Sequence, residues 1–157
     1  MRTVRFNLGA LAVVVAALGA TSTATEPQET RVSNGPPKAG ILVHVTHGPE
    51  QPTRAALALL VAKTAIDEGH RVTLFLAGDA VQLLRDSVLD SVTGVGTGRL
   101  RDHYDAIVKG GGRFYLSGMS SSARGLSAAD LKDKPAELAP PAVLLRLALE
   151  HERMFTY

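Results

Sequence analysis

Three short loops, each directly after an apolar run, carry the residues that could do chemistry. They are Thr46-His47-Gly48-Pro49, Ala77-Gly78-Asp79 and Ser117-Gly118-Met119-Ser120-Ser121. Each contains a glycine, which lets a ligand approach the backbone closely. Each also precedes a predicted helix, whose free N–H groups favour anions. The pattern predicts a site for a small molecule or an anion, formed by Thr46, His47, Gly48, Gly78, Asp79, Ser117, Gly118, Met119 and Ser120.

The same loops allow an enzymatic alternative. A serine hydroxyl becomes nucleophilic only beside a base, and His47 is the histidine expected at the same sheet edge as Ser117. A Ser117–His47 pair, oriented by Asp79, would make a catalytic site. The opposing interpretation is that Ser117 is a small strand-end residue and that the serines at 120–122 cap a helix. We favour the second and predict no catalytic residue, with Ser117 and His47 as the candidates if the protein is an enzyme.

The remaining motifs indicate neither a metal nor a cofactor. His44 and His47 form a His-x-x-His pair, but residues three apart on a strand face opposite sides of a sheet. The chain has no cysteine, and no carboxylate cluster lies near the two histidines. The glycines at 94–98 do not open a helix after an evident strand, so a dinucleotide-binding fingerprint is unsupported.

The N-terminal segment is typical of an export signal. Arg2 and Arg5 precede an apolar run from Leu8 to Leu18, and Ser22 and Ala24 suit a cleavage site. We predict a signal peptide over residues 1–24, cut after Ala24, and a periplasmic or secreted protein. The run is shorter than the roughly 20 residues that span a bilayer, so no stable membrane anchor is expected. Polar residues 25–38 are predicted to be flexible, and the domain to occupy residues 39–157.

Charge and composition narrow the classes of partner. The chain has 17 basic and 15 acidic residues, and removing Arg2 and Arg5 with the signal leaves 15 of each. No clustered basic patch is present, so nucleic-acid binding is not expected. A net charge near zero gives little repulsion between copies. The helix after the first strand is apolar all round from Ala55 to Ala62, which indicates burial against its own sheet or also against a second subunit.

The order of elements predicts the fold class. Ile41–Val45 is a nearly continuous apolar run, typical of a strand covered on both faces. Further strands are predicted at 71–77, 113–117 and 153–157, and helices at 52–68, 80–84, 100–109, 119–124 and 143–150. Asp79 is the predicted N-cap of the second helix, 94–98 a mobile loop, and 126–141 a connection with a short helix or strand. Alternating strands and helices predict an α/β flavodoxin-like three-layer α/β/α sandwich with a mostly parallel sheet.

The domain resembles the DsrE/DsrF-like sulfur-relay family. The resemblance rests on four segments in order: Val45-Thr46-His47-Gly48-Pro49-Glu50 with its alanine-rich helix, the segment from Glu68 to Leu76, Gly112 to Ser120, and Glu152 to Tyr157. It implies a flavodoxin-like sheet and homo-oligomers, commonly dimers, trimers or hexamers. In sulfur-transferring members, a cysteine carries persulfide sulfur on a loop at this edge, often directly before the Gly-Met pair.

Here Ser117 stands in the place of that cysteine. A hydroxyl cannot hold a persulfide, and no other residue of this chain supplies a thiol. Together with the export signal, the resemblance therefore favours an exported protein that is not an enzyme. It would bind a small molecule, an anion or a sulfur-relay partner at the sheet edge where the family's cysteine lies. An enzyme using Ser117 or His47 remains open, and so does an accessory subunit of sulfur metabolism with a purely structural role.

Overall fold

The structure, a computed structural model, describes residues 38–157. The predicted signal peptide lies outside this part of the chain, as does the predicted flexible segment apart from Lys38. The elements in order are β1 Gly40–Val45, α1 Pro52–Asp67, β2 Arg71–Leu76, a 3₁₀ helix Gly78–Leu84, α2 Asp86–Ser91, β3 Thr93–Gly94, β4 Gly98–Arg99, α3 Leu100–Lys109, β5 Arg113–Ser117, α4 Gly118–Ala123, a 3₁₀ helix Ala128–Leu131, β6 Ala136–Ala139, α5 Pro141–Glu150 and β7 Arg153–Thr156. None of the helices within 38–157 is long and apolar enough to cross a membrane.

The main sheet has five parallel strands in the order β6-β5-β2-β1-β7. The chain steps outward from β1 through β2 and β5 to β6, and then returns to add β7 on the far side of β1. The strand order therefore reverses between β1 and β7. In open α/β sheets, ligands bind outside the carboxyl ends of the strands at such a switch point. The predicted three-layer α/β/α sandwich with a parallel sheet is confirmed.

One face of the sheet carries most of the core. Val43, Leu74 and Leu116 point to this face and are fully buried under α1 and α3. Alanines at 55, 56, 58, 62 and 65 let α1 lie close to the strands. Each buried leucine contributes roughly 2 kcal/mol. The all-round apolar helix is therefore largely covered by its own sheet.

The opposite face is covered by α5. Leu42, Phe75, Ala139 and Leu147 form a smaller core there. The outer side of α5 keeps leucines in contact with solvent: Leu145 is 64% exposed and Leu149 is 79% exposed. These two leucines of α5 are thus more exposed than Leu57 of α1, which is 37% exposed.

Several local predictions differ from the structure. The turn after β2 is a 3₁₀ helix preceded by Ala77, with no side-chain cap. The predicted N-cap Asp79 lies inside this helix, and its carboxylate pairs with Arg124. The glycines at 94–98 form the two-stranded β3–β4 turn rather than an unstructured loop. Helix α5 begins at Pro141 rather than at the predicted residue 143. Proline suits the first turn of a helix, because the N–H that it lacks has no partner there.

Candidate functional site

The three predicted loops meet at the carboxyl edge of the sheet. The N–H of Gly78 donates a hydrogen bond to Oγ of Ser120 at 3.0 Å, which joins the β2 loop to the β5 loop. A Cβ atom on Gly48 would overlap the carbonyl oxygen of Asp79, so the β1 loop packs directly on the β2 loop. The sequence therefore identified loops that form one continuous surface.

Ser117 acts as a helix cap. Its Oγ accepts a hydrogen bond from the N–H of Ser120 at 3.3 Å, at the start of α4. The helix cap predicted for the serines at 120–122 is thus provided by Ser117. The Ser120 hydroxyl instead accepts the hydrogen bond from Gly78. Ser121 is fully buried, and its hydroxyl has no hydrogen-bond partner within residues 38–157. Gly118 opens α4, and the Met119 side chain beside it is largely exposed, at 72%.

Asp79 is paired with an arginine that the sequence analysis did not single out. Arg124 Nε donates to Oδ1 of Asp79 at 2.7 Å, and its NH1 donates to the Ser120 carbonyl at 3.3 Å. Arg85 in turn donates to the carbonyl oxygens of Arg124 and Gly125, at 2.9 and 3.0 Å. The Asp79 carboxylate is therefore hydrogen-bonded to Arg124 rather than to His47. The signal for Arg124 was its position at the end of the Ser-Ser-Ser-Ala-Arg segment.

His47 points toward helix α1. Its Nε2 lies 3.0 Å from NH1 of Arg54, and its Nδ1 lies 3.3 Å from Oγ1 of Thr46. A guanidinium only donates, so Nε2 accepts and the proton is assigned to Nδ1. The Thr46 hydroxyl donates to the main-chain oxygen of Tyr157 at 2.8 Å. These contacts connect His47 to the β7 side of the edge.

The structure does not bring Ser117 and His47 together. Strand β2 lies between β1 and β5, and neighbouring strands are about 4.8 Å apart. No hydrogen bond joins the two side chains in the described part of the chain, and the polar atoms of each are engaged elsewhere. The geometry for a serine–histidine pair is absent from this arrangement.

His44 lies apart from His47, on the α5 face of the sheet. Its ring meets Phe75 edge-on at a centroid distance of 6.1 Å, and its Nε2 is buried without a partner among residues 38–157. Burial lowers the pKa of His44 because the charged imidazolium loses its hydration. Within the same residues, no group of three or more His, Asp or Glu side chains is arranged to hold a metal ion.

A cavity opens at the switch point, beyond the predicted loops. It has a volume of about 440 Å³ and is lined by Gln51, Pro52, Thr53, Arg54, Leu57 and Tyr157. Arg54 makes no ion pair with an acidic side chain of the described residues. The sequence does not reveal this cavity, because its walls come from α1 and the residue after β7, which become neighbours only through the strand order.

The five-stranded parallel sheet and its joined carboxyl-edge loops define a three-layer α/β/α protein. The family model described as the DsrE/DsrF-like family matches residues 39–157, and the chain belongs to that family. The resemblance drawn from the sequence is thereby confirmed. No curated protein matches the chain.

Two solved structures are similar in fold. The YchN protein of Escherichia coli is 18% identical, with a TM-score of 0.62, over 75% of this chain and 98% of its own. A conserved protein of unknown function from Bacteroides thetaiotaomicron is 12% identical, with a TM-score of 0.54, over 74% of this chain and 94% of its own. At these identities the likeness shows the fold alone.

Proposed function

We propose that this chain is an exported, non-catalytic member of the DsrE/DsrF-like family that binds a small anionic molecule or a sulfur-relay partner at its carboxyl edge. One observation carries the proposal: the hydroxyl that replaces the family's thiol is a structural cap. Ser117 Oγ accepts a hydrogen bond from the N–H of Ser120, and no histidine or carboxylate among residues 38–157 is hydrogen-bonded to it. Without a base, a serine hydroxyl is a poor nucleophile.

The same edge is built to be rigid. Gly78 is bonded to Ser120, Asp79 to Arg124, and Arg85 to the carbonyls that follow α4. Rigid loops lose little conformational freedom when a ligand binds, which favours binding. This frame supports a binding role for the edge, and the absence of cysteine removes persulfide transfer through this chain.

Ligand-dependent thermal stabilisation tests the proposal. Wild-type protein, Ser117→Ala and His47→Ala are heated with a panel of small carboxylates, phosphate, sulfite and thiosulfate. We expect at least one compound to raise the unfolding temperature of wild type and Ser117→Ala, with no compound consumed. Loss of a measurable hydrolytic activity in Ser117→Ala or His47→Ala, with the fold intact, would instead establish the enzymatic alternative.

The export and assembly of the protein are parts of the same proposal. We expect the protein recovered from the exported fraction to begin at Thr25, as intact mass would report.

We also expect a homo-oligomer, and the exposed leucines of α5 support it. Native mass spectrometry measures subunit number and any retained ligand together. An oligomer that no compound stabilises would favour the purely structural accessory subunit, and a monomer at micromolar concentration would contradict assembly.

A further inference from the structure

The cavity at the switch point has predominantly apolar walls. The ring of Pro52, the side chain of Leu57 and the residue Tyr157 line it, and Leu57 is 37% exposed there. Its volume of about 440 Å³ lies within the range of about 300–1,000 Å³ that is usual for small-molecule sites. Such walls favour a compact apolar body, since its burial removes apolar surface from water.

Among the described residues, Arg54 is the one charged side chain that lines the cavity. It stands in the first turn of α1, and its Nη1 donates to Nε2 of His47. That bond uses one of five N–H donors, so the other guanidinium nitrogens can still donate a paired hydrogen bond to an anion. The neighbouring Thr53 hydroxyl accepts from the N–H of Val95 at 3.1 Å and adds no charge.

His47 is a positioning residue for Arg54. Its Nδ1 meets the Thr46 hydroxyl, which donates a hydrogen bond to the main-chain oxygen of Tyr157 at the neighbouring strand end. This chain of contacts holds the acceptor nitrogen toward α1. An arginine held in this way loses less side-chain freedom when it meets an anion than a solvated one does.

We propose that this cavity binds a small organic carboxylate, with the carboxylate on Arg54 and an apolar body against Pro52, Leu57 and Tyr157. The inference rests on the proposed function, because it names the ligand class and the position for the same edge. A monoanion fits better than a phosphate dianion, since Arg54 is the one cationic side chain among the described residues that line the cavity.

Calorimetric titration with benzoate and with benzamide, its neutral counterpart, tests the inference. We expect saturable benzoate binding to the wild-type mature protein. Benzamide should bind at least about tenfold more weakly than benzoate. Arg54→Gln should weaken benzoate binding by about tenfold or more, as expected for a lost hydrogen bond to a charged group. Arg146→Gln removes an exposed arginine of α5 paired with Glu150 and should change it less than twofold.

Two further measurements keep the outcome decisive. Inorganic phosphate should bind more weakly than benzoate, and Arg54→Lys, which keeps the charge but not the fork of donors, should fall between wild type and Arg54→Gln. Equal benzoate binding by Arg54→Gln and Arg146→Gln would overturn the inference, as would the absence of benzoate binding. In either case, stabilisation by another compound of the panel would leave the proposed function standing, whereas stabilisation by none of them would remove its small-anion part.

Discussion

The two ends of the carboxyl edge use their polar groups differently. At the β5 end, Ser117, Ser120, Asp79 and Arg124 bond to one another or to nearby backbone groups. At the β1–β7 end, Arg54 keeps donors that no acidic side chain of residues 38–157 engages, and it faces an apolar cavity. One end is closed on itself, and the other is open to a ligand.

Under the proposed function, the family scaffold lacks the sulfur chemistry at the β5 end and offers a binding surface at the β1–β7 end. Ser117, which the sequence resemblance places where sulfur-transferring members have a cysteine, caps α4 and is part of the closed frame. The open end depends on β7 being placed beside β1, which is a property of the fold and not of the thiol. Changes at the closed end should therefore affect stability, and changes at the open end should affect binding.

The largest effect is expected where the two ends meet. Gly48→Ala places a methyl group against the main-chain carbonyl of Asp79, which cannot move without displacing the 3₁₀ helix. Overpacking of this kind costs about 1–3 kcal/mol. Urea unfolding should show a free energy of unfolding lower by that amount.

Gly118→Ala is the matched control for this steric argument. A Cβ at Gly118 would meet the Ala139 carbonyl at 3.7 Å, an ordinary contact distance. We expect a change within about 0.5 kcal/mol. Equal losses in the two variants would show that the close contact between the β1 and β2 loops does not determine stability.

The sequence predicts the features that depend on neighbouring residues and does not predict those that depend on contacts between distant parts of the chain. Continuous apolar runs predicted β1, β2 and β5, because strands buried on both faces leave that local pattern. The short exposed strand β6, Ala136–Ala139, has no such run, and the sequence predicts only a connection with a short helix or strand over residues 126–141. The role of Arg54 could not be predicted, because its cavity exists only once β7 lies against β1. Pro52-Thr53-Arg54 at a helix start after the first strand was the one local signal.

A smaller effect is expected from opening the closed end. Ser120→Ala removes the acceptor of the Gly78 N–H, which lies partly buried in the β2 turn. A hydrogen bond of this kind contributes about 1 kcal/mol, so urea unfolding should show a loss near that value. Benzoate binding at Arg54 should stay within twofold of wild type.

Ser122→Ala provides the comparison, because Ser122 is exposed on the same helix. Its free energy of unfolding should change by less than about 0.5 kcal/mol. A loss of benzoate binding in Ser120→Ala, with Ser122→Ala unaffected, would mean that the two ends are coupled rather than independent.

The smallest effect concerns His44, below the open end of the sheet. Burial lowers its pKa in the folded protein, so the unfolded chain takes up the proton first as pH falls. Its contribution is complete above the unfolded pKa near 6.5 and is lost as pH falls from there toward the folded pKa. Wild-type protein should therefore lose more stability between pH 7.5 and pH 5.5 than His44→Leu does, by urea unfolding. Equal losses would remove His44 as the source.

Amide chemical-shift mapping with benzoate shows directly whether the ligand binds at the β1–β7 end of the edge or at the β5 end. In ¹⁵N-labelled mature protein, the account predicts saturable shifts at Thr53, Arg54, Leu57 and Tyr157, small shifts at Ser117 and Ser120, and an unchanged benzoate spectrum over days. Shifts centred on Ser117 and Ser120, with Arg54 and Tyr157 unmoved, would contradict an edge that is closed at β5 and open between β1 and β7.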